Sequence, residues 1–231
     1  MNLRFIEGNL FDTERQTLVN TVNCVGAMGK GVALVTKLRY PALYEEYHRK
    51  CEVHEIKVGS LWLYKSKAPS PWVLNFPTKV HWKDPSRMEY LEKGLAFFIE
   101  NYRSMGIASI AFPLLGAHNG GLDAARVRSV MTDYLSRVDI PVDIYSYDPK
   151  APDALFERFK KKWVRLTPAE LRRETGIRQD KQIALISDVL ANGSVRSMLG
   201  LVELSGIGMK TLENCFGFTQ ATAPTQQSLF D

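Results

Sequence analysis

Strand-like and helix-like stretches alternate along the first 150 residues, and beyond them the alternation stops. Short apolar and β-branched runs near Leu3–Ile6, Leu18–Val22, Ser60–Tyr64, Trp72–Phe76, Ser109–Pro113 and Val142–Tyr147 suit strands, with helical stretches between them. A chain organised this way folds as layers, helices packed on a sheet. The spacing predicts a helix from Ser86, whose hydroxyl can cap the first turn while Glu89 reaches back to complete a capping box. Met88, Leu91, Leu95, Phe98 and Tyr102 then form one apolar stripe. A second helix follows Leu122, with Val127, Val130, Met131 and Tyr134 facing inward.

Two prolines in Asp148-Pro149-Lys150-Ala151-Pro152 interrupt regular structure and mark a linker. The expected division is therefore an α/β domain over 1–150, a small all-helical module over 151–218, and a polar tail over 219–231 that is disordered alone. Thr167-Pro168-Ala169-Glu170 is a helix start: Thr as cap, Pro at the first position, Glu at the third. The basic cluster Arg158, Lys160, Lys161, Lys162 and Arg165 reads either as a solvated helix face or as a strip that follows phosphates.

Composition narrows the class. At 231 residues, 45% hydrophobic and 24% charged, the chain can bury a core, which argues against wholesale disorder. No apolar run approaches the roughly 20 residues that cross a bilayer, and Met1–Phe5 leads into a strand instead of a signal peptide. Cys24, Cys51 and Cys215 are odd in number and widely spaced, as in a reducing compartment, so a cytoplasmic protein without disulfides is expected; a monomer is expected as well. His48, His54, His81 and His118 lack metal-ligand spacing with those cysteines, and neither metal nor cofactor is expected. The net charge of +5 mildly favours polyanionic partners.

The chemistry concentrates in two loops. In Asn20–Leu34 a strand breaks into Gly26, Gly29 and Gly31 and then enters a helix; glycines let backbone amides approach a ligand, and the helix start adds positive potential. Lys30 is followed by Gly31-Val32 and not by a magnesium-holding Ser or Thr, which argues against a Walker loop and nucleotide triphosphate hydrolysis. A tight strand-to-helix connection is the alternative, but two side-chain amides beside three glycines are more than a turn needs. The second loop, Pro113–Asp123, also follows a strand and precedes a helix. Two such loops at the carboxyl ends of parallel strands suit a diphosphate with a ribose on each side, because amides neutralise it without a metal.

These two loops, with Asn75-Phe76-Pro77-Thr78-Lys79-Val80-His81-Trp82, resemble the macrodomain family. The likeness is strongest to its DarG branch, antitoxins that remove ADP-ribose from DNA bases, and extends to the terminal ADP-ribose glycohydrolase branch. It covers about residues 1–148 and implies a three-layer α/β/α fold with a mixed central sheet. It also implies ADP-ribose and ADP-ribosylated DNA as ligands, and a DNA ADP-ribosyltransferase toxin as partner.

Residue by residue, the resemblance puts Asn9 where many macrodomains carry the aspartate that reads adenine, with Leu10 beside it. It puts Asn23, near Asn20, at the distal ribose, and Gly29, Lys30, Gly31 and Val32 along that ribose and the diphosphate. Gly116, Ala117, His118, Asn119, Gly120, Gly121 and Leu122 close over the phosphates, His118 replacing a small residue. Lys79 matches a catalytic lysine: a neutral amine can attack the ribose anomeric carbon and form a Schiff-base intermediate. Trp82 and Lys83 are candidates to favour that neutral form. On its residues alone, a lysine after a strand end is a surface charge. Asp123 matches a residue that moves protons, and equally suits the first turn of a helix.

Past the linker, Leu201–Leu212 resembles a helix-hairpin-helix, in which Gly206 and Gly208 present amides to a DNA phosphate and Lys210 adds charge. A helical turn that happens to contain Gly-Ile-Gly is the alternative. Gln226-Gln227-Ser228-Leu229-Phe230 resembles the peptide by which bacterial DNA-processing proteins dock on the replication sliding clamp, a match short enough to arise by chance. The sequence leaves three functions open: a DNA ADP-ribosyl glycohydrolase, a non-catalytic ADP-ribose or nucleotide-signal reader, and a hydrolase for ADP-ribosylated protein or small molecules.

Overall fold

A computed structural model describes residues 2–68 and 70–221. The chain divides into two compact units, Met1–Asp153 and the part from Ala154 onward.

In the first unit the elements run β1 (Leu3–Gly8), β2 (Thr17–Val22), α1 (Gly31–Arg39), α2 (Pro41–Glu52), β3 (Trp62–Tyr64), β4 (Trp72–Pro77), α3 (Met88–Met105), β5 (Ile110–Pro113), α4 (Ala124–Leu135) and β6 (Val142–Tyr147). A single 3-10 turn, Leu10–Asp12, follows β1. The sheet order is β1-β6-β5-β2-β4-β3. Every pairing is parallel except β3 with β4, so the sheet is mixed.

Alternation along the strands builds a core on each face. Val19 of β2 and Leu74 and Phe76 of β4 bury against Leu91, Leu95 and Phe98 of α3 and Val127 and Met131 of α4. Their neighbours Leu18, Val22 and Val73 bury on the opposite face with Leu43, Tyr47 and Cys51 of α2. This is the expected layered α/β arrangement. Gly94 of α3 lies directly over the Phe76 ring, where no side chain would fit, so helix and sheet approach closely.

At the β1/β6 edge, buried Asp143 is held by two guanidinium groups, Arg4 Nε at 2.8 Å and Arg15 Nε at 2.7 Å. Burial by itself would raise the Asp143 pKa, but the bonds from Arg4 and Arg15 outweigh it and hold the carboxyl below its usual range.

Several boundaries differ from the sequence reading. Ser86 does not cap α3: the helix starts at Met88 behind Arg87, which makes no side-chain cap bond. Ser86 is instead buried, and its N–H donates to Gly120 O at 2.9 Å, a tertiary contact that removes it from the helix. The strand expected from Ser60 starts at Trp62, because Ser60 N–H closes a turn on Lys57 O and Gly59 takes φ +85°. Ser109 lies outside β5, where its Oγ accepts from Gln16 N at 2.9 Å.

The second unit contains α5 (Ala154–Trp163), α6 (Pro168–Thr175), α7 (Asp180–Asn192), α8 (Met198–Val202) and α9 (Met209–Gln220). Its interior holds Phe156, Phe159, Trp163, Leu171, Ile183, Ile186, Leu190, Leu212 and Phe216. The capping box between Thr167 and Glu170 forms at the start of α6. Lys162 Nζ donates to Phe218 O (3.0 Å), Thr219 O (3.3 Å) and Ala221 O (2.6 Å), which secures the C-terminus of α9. One member of the basic cluster is thus committed to the fold. Thr219 and Gln220, assigned to the tail on sequence, belong to α9; the clamp-like peptide Gln226–Phe230 lies outside the described residues. Among the described residues, no helix is long and apolar enough to cross a membrane.

Candidate functional site

Because β5, β2 and β4 are adjacent and parallel, the loops that leave their carboxyl ends share one edge of the sheet. These are the second glycine loop (114–123), the first glycine loop (23–30) and a connecting segment (78–87). The turn after β1, with Asn9, leaves at the same edge.

Asn23 organises the first loop from inside. Its Oδ1 accepts from Val25 N at 3.0 Å and Ala27 N at 3.2 Å, and its Nδ2 donates to Ala27 O at 2.6 Å. The Tyr47 hydroxyl donates to Asn23 O at 2.8 Å from below, and burial pushes that phenol well above its ordinary pKa, so it stays a donor. Met28 is buried as the loop's apolar anchor. Gly26 needs its hydrogen side chain: φ is +82°, and a Cβ would lie 2.5 Å from His48 Nδ1. Gly29 and Lys30 are exposed, a Cβ at Gly29 would meet nothing within 4 Å, and α1 starts without a side-chain cap. Backbone N–H groups at such a helix start suit an anion.

The second loop closes on itself, with Leu122 N–H donating to Gly116 O at 3.1 Å. Gly120 packs against Gly116 and the Ser86 hydroxyl with no room for a Cβ. Ala117, His118 and Asn119 form the crest, the last two exposed. Gly121 takes φ +76° and leads through Leu122 to Asp123, whose Oδ1 caps α4 by accepting from Arg126 N at 2.8 Å.

The connecting segment ties the two loops together. Thr78 N–H donates to Val22 O, and Cys24 N–H donates to Val80 O, both at 2.9 Å. The Cys24 thiol lies 3.4 Å from Lys79 O; burial raises its pKa to about 11, which keeps it a protonated thiol and a poor nucleophile. Lys79 Nζ reaches across and donates to Asn119 O at 2.8 Å. The Asn119 side chain in turn sits beside Gly31, where a Cβ would come within 2.6 Å of Nδ2. Lys79 therefore stands where both glycine loops meet. Trp82, 54% exposed, stacks on His81 with Lys83 Nζ 5.2 Å from its ring centre.

Other residues singled out from the sequence have local partners. Asn9 Oδ1 caps the 3-10 turn at Leu10–Asp12 by accepting from Phe11 N at 3.1 Å. Asn20 is fully buried and donates to Asn75 Oδ1 at 2.9 Å, a cross-strand pair inside the sheet. Val32 packs partly buried against the α2-side core. In the second unit, Gly206 takes φ +90° between α8 and α9, Gly208 is the N-cap of α9, and Lys210 pairs with Glu213 at 3.4 Å. Cys24, Tyr47 and Ser86 escape the sequence reading as supports of the loops, because each acts through a partner distant in the chain. Among the described residues, no group of three His, Cys, Asp or Glu side chains is arranged to hold a metal ion.

A mixed sheet between two helical layers, with two glycine loops converging at its carboxyl edge, is a macrodomain, and the chain belongs to that family: the Macro domain profile matches residues 19–131. Within the family it is similar to DarG proteins. It is 38% identical to the macrodomain of Mycobacterium tuberculosis DarG, with a TM-score of 0.60 and coverage of 62% of this chain and 96% of that one. It is 39% identical to Thermosipho africanus DarTG in complex with ADP-ribose, with a TM-score of 0.61 over 64% of this chain and 42% of that one. A Thermus aquaticus protein named DNA ADP-ribosyl glycohydrolase is 41% identical over 170 residues, 72% of this chain and 47% of the relative. The chain thus spans about half the length of such curated relatives.

Proposed function

We propose that this chain binds ADP-ribose between the two glycine loops and removes it from ADP-ribosylated DNA bases. The names of its relatives support the substrate, and one observation carries the chemistry: the amine of Lys79 is held at the junction of both loops by Asn119 O. A neutral amine can donate one N–H to that carbonyl and still present its lone pair.

In this reading the lone pair of Lys79 attacks the anomeric carbon of the distal ribose, and the bond from that carbon to the base nitrogen breaks with its electrons going to the base. Asp123 takes the proton released by the attacking amine and passes it to the departing base, through the oxygen that the α4 cap leaves over. The ring C–O bond then breaks with its electrons going to the ring oxygen, which takes the remaining amine proton to become a hydroxyl, leaving a neutral Schiff base on Lys79. Water adds to it, restoring the lysine and freeing ADP-ribose. Asn9 and Leu10 take the adenine end, and the amides of Gly29–Val32 and Gly116–Leu122 take the diphosphate. The second unit adds a DNA-backbone contact at Gly206, Gly208 and Lys210, and the C-terminal peptide Gln226–Phe230 docks on a sliding clamp. The protein acts as a cytoplasmic monomer beside a DNA ADP-ribosyltransferase toxin.

The test is incubation with DNA ADP-ribosylated by several transferases, followed by detection of free ADP-ribose. Lys79→Ala is expected to lose release while keeping ADP-ribose affinity by calorimetry. Unchanged turnover in that variant removes Lys79 from the mechanism, and no release by the natural sequence refutes the enzyme reading in favour of a binding module.

A further inference from the structure

The basic cluster of α5 has no part in the chemistry above. Its sequence admits two accounts, a solvated helix face or a strip that follows phosphates, and the partners of its side chains separate them. Leu155, Phe156, Phe159 and Trp163 are buried on one side of the helix. Lys162 turns to the end of α9. The helical period then leaves Glu157, Arg158, Lys160, Lys161 and Val164 on the outer side, where they line a shallow groove of about 590 Å³. Arg165 follows on the same side and is exposed, as are Arg158 and Lys161. Val164, in the middle of these cations, is 62% exposed.

A solvated helix face pairs opposite charges three or four positions apart. That happens elsewhere in this chain: Lys93 meets Glu89 at 2.5 Å, Arg137 meets Asp133 at 2.6 Å, and Lys210 meets Glu213 at 3.4 Å. Glu157 has Lys160 and Lys161 at those spacings and pairs with neither. Among the described residues, the ion pairs of the second unit are Arg172 with Asp180, Arg173 with Glu174 and Lys210 with Glu213, and none involves Arg158, Lys160, Lys161 or Arg165. Four unpaired cations thus surround a single carboxylate. The helix dipole favours Lys160 and Lys161 in the last turn, but Arg158 precedes that turn and Arg165 lies beyond the helix.

We propose that the outer face of α5 holds the sugar–phosphate backbone of duplex DNA without reading its sequence. Val164 N–H still bonds back to Lys160 O at 3.0 Å, so the helical path continues past Trp163. At 1.5 Å per residue Arg158 and Arg165 stand about 10 Å apart, with Lys161 between them. One DNA strand advances about 3.4 Å per phosphate along the axis, so three cations in that row meet about three phosphates. Val164 and the lysine stems offer apolar contact to the sugars between them. One valine is too small an apolar face for a lipid surface. The inference rests on the DNA reading above and adds to it a second hold on unmodified backbone, apart from Gly206, Gly208 and Lys210.

The experiment measures binding of the full-length protein to unmodified duplex DNA by fluorescence anisotropy over a range of salt concentrations. The triple variant Arg158→Ala, Lys161→Ala, Arg165→Ala is expected to lose about 2–3 from the slope of log affinity against log salt and to bind about 10- to 100-fold more weakly. It should cleave an ADP-ribosylated nucleoside as the natural sequence does. Arg158→Lys with Arg165→Lys keeps the charges and should keep the slope. An unchanged slope in the triple variant overturns the strip, as does absence of DNA binding by the natural sequence. Competition by poly-glutamate equal to that by DNA, charge for charge, overturns it in favour of an acidic protein partner. Salt-dependent binding lost in the triple variant, with no ADP-ribose released from any substrate by the natural sequence, supports the strip while refuting the glycohydrolase reading.

Discussion

Gly29→Ala separates ligand contact from folding. Its φ lies outside the left-handed region, and a Cβ there meets no atom within 4 Å, so the folded protein accommodates the methyl group without strain. Replacing Gly by Ala at such a position removes freedom from the unfolded chain and stabilises by about 0.4–1 kcal/mol, worth roughly 1–4 °C in melting temperature for a protein of this size. The open space is also where the loop faces the proposed diphosphate. Forcing a methyl group into a filled contact costs about 1–3 kcal/mol, which weakens ADP-ribose binding by about 5- to 150-fold.

Gly31→Ala is the contrast. There φ is +55°, and the new Cβ falls 2.6 Å from Asn119 Nδ2, so the substitution strains the backbone and displaces the residue that holds Lys79. Melting temperature should drop together with affinity. Calorimetry with ADP-ribose and a thermal melt on each variant decide the matter. A Gly29→Ala protein that binds ADP-ribose as tightly as the natural sequence would show that the ligand does not lie against this loop.

Two further predictions follow from the carboxylates. Asp123→Asn keeps a side-chain oxygen for the α4 cap and removes the proton carrier, so it should melt within about 1 °C of the natural protein yet lose turnover, typically 10²-fold or more; Asp123→Ala should also lose about 1 kcal/mol of stability. Turnover unchanged in Asp123→Asn leaves that residue with the cap alone. Asp143 has a lowered pKa in the folded state, so its contribution is present above the usual carboxylate range near pH 4 and fades as pH falls through the folded value. Asp143→Asn should destabilise by about 1–3 kcal/mol near neutrality, because water reaches the guanidinium groups left behind, and flatten the fall in stability on acidification; denaturant titrations from pH 7 to about pH 3 would measure both.

Features set by neighbours in the chain were legible without coordinates. The Thr167/Glu170 capping box needs only three residues of spacing, and the stripe Leu91, Leu95, Phe98, Tyr102 needs only the helical period; both are present. The strand cores at Leu18–Val22 and Trp72–Phe76 were read from apolar runs, since a strand buried on both faces has little else to show. Ser86 shows where that logic stops. Its sequence context is that of a helix cap, but a hydrogen bond to Gly120, thirty-four positions along the chain, takes it into the support of a loop.

By itself the sequence determined a strand–helix alternation ending at the proline-bearing linker, two glycine loops after strands, and the resemblance that singled out Lys79. Those depend on composition and short-range spacing. Only the tertiary structure decided that Lys79 bonds to Asn119, that Asn119 overhangs Gly31, and that Asn23 spends its amide holding its own loop. The sheet order is the physical reason: placing β5, β2 and β4 side by side brings three separate loops to one edge, and no local pattern encodes which side chain then meets which carbonyl.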